Sequence, residues 1–280
     1  MQLSRLLTSG ALAIGLVVAA ACGSEGNGDV SPAETAVDPD PTVSDTKAEP
    51  VAAAAERIAL DLIECEQFAL ITAVDRAAAQ AVVPDEFTSR NVVAHVAKQC
   101  EDLRADGLSV GAGHFDAQWI SVRRPADIDL SDTSVGADVN YPVLLQTDNM
   151  AWQEALASFG VPMEYAEAMT FETTADSMDG GANGSTAVPP ANYQWSATGP
   201  VREIEPTGTI AHLLLRRDDD ALYVYDIFCP LFSIVGSGQA KLEPEPGSFA
   251  YDAFGPEVSG QNYPARLTCN VTIERRADSP

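Results

Sequence analysis

Positive charge is scarce in this 280-residue chain: 16 Lys and Arg stand against 41 Asp and Glu, a formal net charge of −25. A field of that sign repels phosphate backbones and anionic headgroups, which argues against nucleic acid as a partner and against direct electrostatic attachment to a membrane. Histidine and lysine are rarer still, three of each: His95, His114 and His212; Lys47, Lys98 and Lys241. The histidines are far apart in sequence, and the five cysteines include no Cys-x-x-Cys pair and no neighbouring His, so no zinc site is expected. Gly-x-Ser-x-Gly, His-Glu-x-x-His, P-loop and Gly-x-Gly-x-x-Gly patterns are also missing. The acidic run Asp127, Asp129, Asp132 and Asp138 fails the EF-hand pattern, because Asp132 stands where the sharp turn needs Gly and no helical pattern flanks it. It reads as a solvated acidic loop. No metal, no cofactor and no catalytic residue are assigned.

Long apolar runs are missing too, apart from one at the start. Residues 11–21 (ALAIGLVVAAA) follow a single cation, Arg5, and meet Cys22. Eleven residues fall short of the roughly 20 that a spanning helix needs, and the length and flanks fit a cleaved export signal. Ala19, Ala20, Ala21 and Cys22 resemble the small-small-small-Cys core of the lipobox of bacterial lipoproteins, with Ala19 where Leu is more usual. The resemblance implies that residues 1–21 are a signal peptide and that Cys22 is the lipidated first residue of the mature protein. The mature chain would lose Arg5 and no acid, leaving 15 cations against 41 acids, a net charge of −26. Multiple acylation at Cys22 would supply the second signal that stable anchoring takes. The expected location is the bacterial cell membrane or outer membrane, facing the periplasm or the exterior.

Residues 22–50 then read as the lipidated Cys followed by an acidic tether. Residues 23–50 hold four prolines, seven acids, one Lys and no aromatic residue, too little apolar surface to offset chain entropy. Residues 51–280 are expected to form a single α+β, mainly β domain, an antiparallel barrel or sandwich with a few short helices. Ala, Glu, Arg and Leu in VAAAAERIAL (51–60) predict an opening helix. Strands are expected over 65–74, 92–103, 115–122, 141–147, around 169–173, and over 209–217, 222–228 and 266–274. Asp75 is placed to cap a short helix that Pro84 ends, and a second helix over 150–159 stops at Gly160 and Pro162. Residues 174–192, rich in Gly, Ser, Asn and Pro, read as a long mobile loop.

With Cys22 carrying lipid, Cys65, Cys100, Cys229 and Cys269 remain, an even set in an oxidising compartment. Two disulfides are expected, with three possible connectivities. Sequence proximity favours Cys65–Cys100 and Cys229–Cys269. In RLTCNVTIE the period of two turns Leu267, Cys269, Val271 and Ile273 inward.

VDRAAAQAVVPDEFTSR (74–90), the later YPVLLQTDN strand and the helix ending in FGVP (159–162) resemble acetoacetate-decarboxylase-like proteins over residues 62–175. The resemblance implies a barrel-like β core with a central pocket, and enzymes that use a lysine amine activated by low dielectric and a neighbouring cation. Only Lys98 and Lys241 lie in the domain, and neither has an adjacent lysine. The expected function is therefore a lipid-anchored envelope protein that binds a small molecule or an envelope partner without catalysis. The alternatives are an exported enzyme of that architecture using carboxylates or His114, and a structural envelope component.

Overall fold

Twelve strands and three short helices make up the domain in a computed structural model that describes residues 56–125, 128, 139–188, 190–199, 201–202, 204–218 and 221–277. The expected signal peptide, Cys22 and tether lie outside the described residues, as do Asp127, Asp129, Asp132 and Asp138. In chain order the strands are β1 (Glu56–Ala73), β2 (Ser89–Ala105), β3 (Leu108–Val122), β4 (Val139–Thr147), β5 (Glu164–Thr173), β6 (Ser177–Ser185), β7 (Tyr193–Thr198), β8 (Gly208–Asp218), β9 (Ala221–Ile234), β10 (Gly238–Pro244), β11 (Val258–Asn262) and β12 (Ala265–Ala277). The helices are α1 (Arg76–Ala81), α2 (Met150–Ser158) and α3 (Phe249–Phe254).

All twelve strands belong to one sheet that closes on itself twice. Leu70 pairs with Asn262 and Ile71 with Gln261, which closes a first ring through β1, β2, β3, β4, β5, β6, β7, β10 and β11. Val139 pairs with Leu213 and Asn140 with Leu214, which closes a second ring through β1, β2, β3, β4, β8, β9 and β12. The pairings are antiparallel except where β4 meets β5 and β8. Ring closure removes exposed sheet edges and gives the mainly β, barrel-like class that the pattern predicts.

Strands β1 to β4 form a wall shared by the two rings. A strand between two cores has no solvated face, so residues 93–98 of β2 are all buried. The first ring is filled by Phe68, Leu70, Val93, Ala97, Tyr193 and Trp195, with Phe68 and Trp195 stacked 4.1 Å apart. The second holds Leu60, Leu103, Tyr225, Leu267, Ile273 and, from α2, Trp152 and Leu156. A third cluster packs α1 and Phe87 against Ile120, Tyr141, Leu213 and Val224. Cys65 is joined to Cys100 and Cys229 to Cys269, and all four are buried in the second ring.

Two expectations fail. The helix over 51–60 is overturned for its described part: residues 56–60 belong to β1, where Ile58, Leu60 and Leu62 pair with Ile273, Val271 and Cys269. Their alternation buries one face, and that packing outweighs helix propensity. Residues 177–185, expected as loop, form β6 between β5 and β7. Gly180 lies under the Trp195 ring, where any Cβ would run into the indole and the Thr170 carbonyl, so the glycine makes room for the aromatic core.

Candidate functional site

A grid of polar side chains runs down one face of the shared wall. Cross-strand partners share a face, and successive same-face residues on a strand lie about 7 Å apart. Leu70, His95, Gln118 and Leu144 are paired in one row across β1 to β4, and Phe68, Ala97, Asp116 and Gln146 in the next. One step further are Gln99 and His114, which pair with each other, and Asp148 just beyond β4. The inner rows face the first ring, whose core includes Phe68, Leu70, Ala97 and Leu144.

At the open end of this grid is a cleft of about 420 Å³ lined by Gln99, Gly113, His114, Asp148, Asn149 and Met150, among others. Asp148 holds His114 twice: Oδ1 accepts from the backbone N–H at 2.8 Å, and Oδ2 lies 2.6 Å from Nδ1. The carboxyl group fixes the orientation of the imidazole through Nδ1, as the partner of an acid–base histidine does. Thr147 Oγ1 donates to the His114 carbonyl at 2.6 Å. Asn149 caps α2 by accepting from Trp152 N–H, while its Nδ2 donates to the Val110 and Ala112 carbonyls. Gly113 permits that approach, since a Cβ there would come to 3.0 Å from both Asn149 and Leu103.

Deeper in the wall the polar groups are buried and incompletely paired. His95 is 1% exposed, and neither ring nitrogen has a hydrogen-bond partner. Burial first, and then the Lys98 charge, lower its pKa to about 3, so the imidazole is neutral at physiological pH. Asp116 is pushed well above the ordinary carboxylate value by burial; the Lys98 charge and hydrogen bonding to the Lys98 backbone and Gln146 act the other way, while Asp148 raises it further. Its Oδ2 has no partner, nor do Gln118 Nε2 and Asn262 Oδ1. Gln146 is satisfied, donating to Tyr193 Oη at 2.9 Å and accepting from Ser185 Oγ at 3.2 Å. Asn262 continues the row of His95 and Gln118, opposite Leu70 on β11.

The two lysines of the domain differ in every respect. Lys241 is partly exposed and forms ion pairs with Glu243 at 2.8 Å and Glu257 at 3.0 Å. Lys98 is 8% exposed, and its Nζ lies 5.2 Å from the centroid of the Phe115 ring. Burial lowers the amine to about 8, partly offset by the Asp116 charge. Pairing with Phe115 turns Lys98 toward the second ring, the opposite face from Asp116.

The structure therefore brings His114 into a cleft with Asp148, leaves His95 in the ring interior, and places His212 on β8 with its ring 6.4 Å from Trp119. Among the described residues no three His, Cys, Asp or Glu side chains are grouped as metal ligands would be. Asp116, Gln118, Gln146 and Asp148 are not singled out by any sequence motif. The weak trace is polar alternation, with Asp116 and Gln118 between Phe115, Ala117 and Trp119.

No protein-family model and no curated protein sequence matches this chain. Solved structures do. The acetoacetate decarboxylase of Legionella pneumophila subsp. pneumophila str. Philadelphia 1 is similar with a TM-score of 0.50 at 13% identity, covering 84% of this chain and 93% of that one. An acetoacetate decarboxylase-like enzyme from Sphingomonas wittichii RW1 gives 0.51 at 11% identity, over 79% of this chain and 93% of that one. The enduracididine biosynthesis enzyme MppR, complexed with the condensation product of pyruvate and imidazole 4-carboxaldehyde, gives 0.50 at 12% identity, over 82% and 97%. Identities this low speak for the architecture alone: the domain has the acetoacetate decarboxylase-like fold.

Proposed function

We propose that this chain is an exported lipoprotein, acylated at Cys22 and held off the membrane by residues 23–50, whose domain binds a small, uncharged polar molecule at the His114 cleft and the polar wall beneath it. The observation that carries the binding function is the set of buried, unpartnered atoms on one face: His95 Nδ1 and Nε2, Asp116 Oδ2, Gln118 Nε2 and Asn262 Oδ1. A buried polar group without a partner costs about 1–3 kcal/mol, and several on one face are a standing cost that a bound hydroxyl-, carbonyl- or amide-bearing molecule would remove. Neutral His95 and a carboxyl biased toward its protonated form favour an uncharged ligand, because a charge buried beside them is costly unless it is paired. A panel of small hydroxy, keto and amide compounds, screened by amide chemical shifts, tests the reading. Binders should move the Gln99, His114 and Asn149 signals and bind at least about tenfold more weakly to Gln118→Leu, the cost of one lost hydrogen bond. His95→Phe should fold with unchanged or raised stability and still lose binding. A panel without such hits, or hits indifferent to both variants, would refute the reading. Intact-mass analysis tests the anchor: acyl chains on an N-terminal Cys22 are expected, and a free thiol there would overturn it.

Lys98 favours a second reading, an enzyme that condenses with carbonyl substrates. An amine lowered to about 8 is roughly one-tenth unprotonated at pH 7, against well under a thousandth for an ordinary lysine, and the free amine attacks a ketone and expels water to give an imine. Borohydride in the presence of acetoacetate or pyruvate should then fix the substrate carbon skeleton to Lys98 as a secondary amine. Recovery of unmodified Lys98 would leave the non-catalytic reading standing.

A further inference from the structure

The ends of β2 and β3 farthest from the His114 cleft hold a second cleft, of about 380 Å³, lined by Arg76, Ser89, Arg90, Asn91 and Arg123. From Arg90 to Gln99 the strand spans roughly 30 Å, so the two clefts are separate. Three arginines line this cleft in a chain with 41 acids to 16 cations, yet none of the three has an acid partner among the described residues. The adjacent acid, Asp75, is engaged in capping α1, where it accepts from the Ala77 and Ala78 N–H groups.

The backbone around the cleft is tied down. Gln80 donates to the Phe87 carbonyl at 2.9 Å and accepts from Ser89 N–H at 3.0 Å. Asn91, at a φ of 51°, donates its N–H to Ser89 Oγ at 2.9 Å, and its carbonyl accepts from Val74 N–H. Arg123 N–H donates to the Thr88 carbonyl at 2.8 Å. The tied-down backbone keeps three like charges around one cleft, and an anion seated there would complement them. All three cations are arginines, whose planar forks take two oxygens at a time from a tetrahedral oxyanion.

We propose that the Arg76–Arg90–Arg123 cleft is a binding site for the phosphate group of a small soluble phosphate monoester, distinct from the His114 cleft and independent of the ligand proposed there. The negative field of the rest of the molecule repels diffuse polyanions and leaves this cleft as a local exception, suited to a compact dianion and not to a nucleic acid.

Titration of the isotope-labelled protein with inorganic phosphate, followed by glycerol phosphate, tests the site. Saturable shifts of the Ser89, Asn91 and Arg123 amides are expected, weakened by added salt. Arg90→Gln and Arg123→Gln should each weaken binding about tenfold or more, as loss of one charge-assisted contact does. Arg124→Gln, a neighbouring exposed arginine outside the cleft, should bind as the parent does. Since these arginines are exposed, the variants should retain the parent amide spectrum elsewhere. Phosphatidylcholine vesicles with and without phosphatidic acid distinguish the source of the phosphate. Glycerol phosphate binding without vesicle association assigns a soluble ligand, whereas vesicle association that Arg90→Gln abolishes assigns a headgroup and overturns the soluble assignment. No saturable shift, or equal binding by Arg90→Gln and the parent, would overturn the site itself.

Discussion

Replacing Lys98 by Met removes a buried amine from the shared wall, and its effect on stability should depend on pH in a defined direction. Folding lowers this lysine from 10.5 to about 8, chiefly by desolvation. Below about pH 8 both folded and unfolded chains hold the proton, and the folded chain bears the full cost of burying an ammonium. Between about 8 and 10.5 the unfolded chain binds more protons than the folded one, so stability rises with pH through that window. The whole difference amounts to about 3 kcal/mol. Lys98→Met lacks this term and keeps most of the side-chain packing. Urea unfolding of parent and variant at pH 7 and at pH 10.5 should therefore show the variant's relative advantage shrinking by up to about 3 kcal/mol as pH rises. Amine acylation followed by peptide mass spectrometry gives an independent midpoint near 8 for Lys98 and a higher one for ion-paired Lys241, which its two carboxylates raise. A stability difference that does not change with pH, or a Lys98 midpoint near 10.5, would refute the reasoning.

Reduction of Cys65–Cys100 or Cys229–Cys269, which close loops of 35 and 40 residues, should each cost about 2–5 kcal/mol and lower Tm by several degrees in a thermal scan with reductant. Gly180→Ala should destabilise by about 1–3 kcal/mol in a denaturant titration, because its Cβ meets the Trp195 ring and a β5 carbonyl. Asn149→Ala, which loses the α2 cap and two bonds to the Val110 and Ala112 carbonyls, should cost about 2 kcal/mol and raise amide exchange over residues 150–153. Asp116→Asn should stabilise the fold most at neutral pH. Folding raises this carboxyl, so the parent loses stability as pH climbs above the unfolded value of 3.8, and the amide does not.

The sequence made the fold class legible and the site mostly not, for one physical reason. Local signals worked where one face is buried and one solvated: the Asp75 cap, the helix that stops before Gly160, and the alternation around Cys269 are all found. They failed on β1, where the run of Ala and Glu suggested helix although Ile58, Leu60 and Leu62 already alternate. They failed again on β6, whose glycines read as loop and instead seat an indole. The wall shared by two rings also inverts the usual meaning of a polar stripe. Asp116 and Gln118 alternate with apolar neighbours as solvent-facing residues do, yet each is 2% exposed, because a second core covers that face. His114 and Asp148 lie 34 residues apart and meet only through the pairing of β3 with β4. The chemistry of this wall follows from closure of the sheet, which is a long-range property.

The most direct measurement is a crystal structure of the protein grown with the tightest binder from the small-molecule panel. The expected result is that molecule beneath the His114–Asp148 pair, with a polar atom within hydrogen-bond distance of Asp116 Oδ2 or Gln118 Nε2. A binder seated elsewhere, with those atoms satisfied by ordered water alone, would contradict the assignment of the polar wall as the binding site.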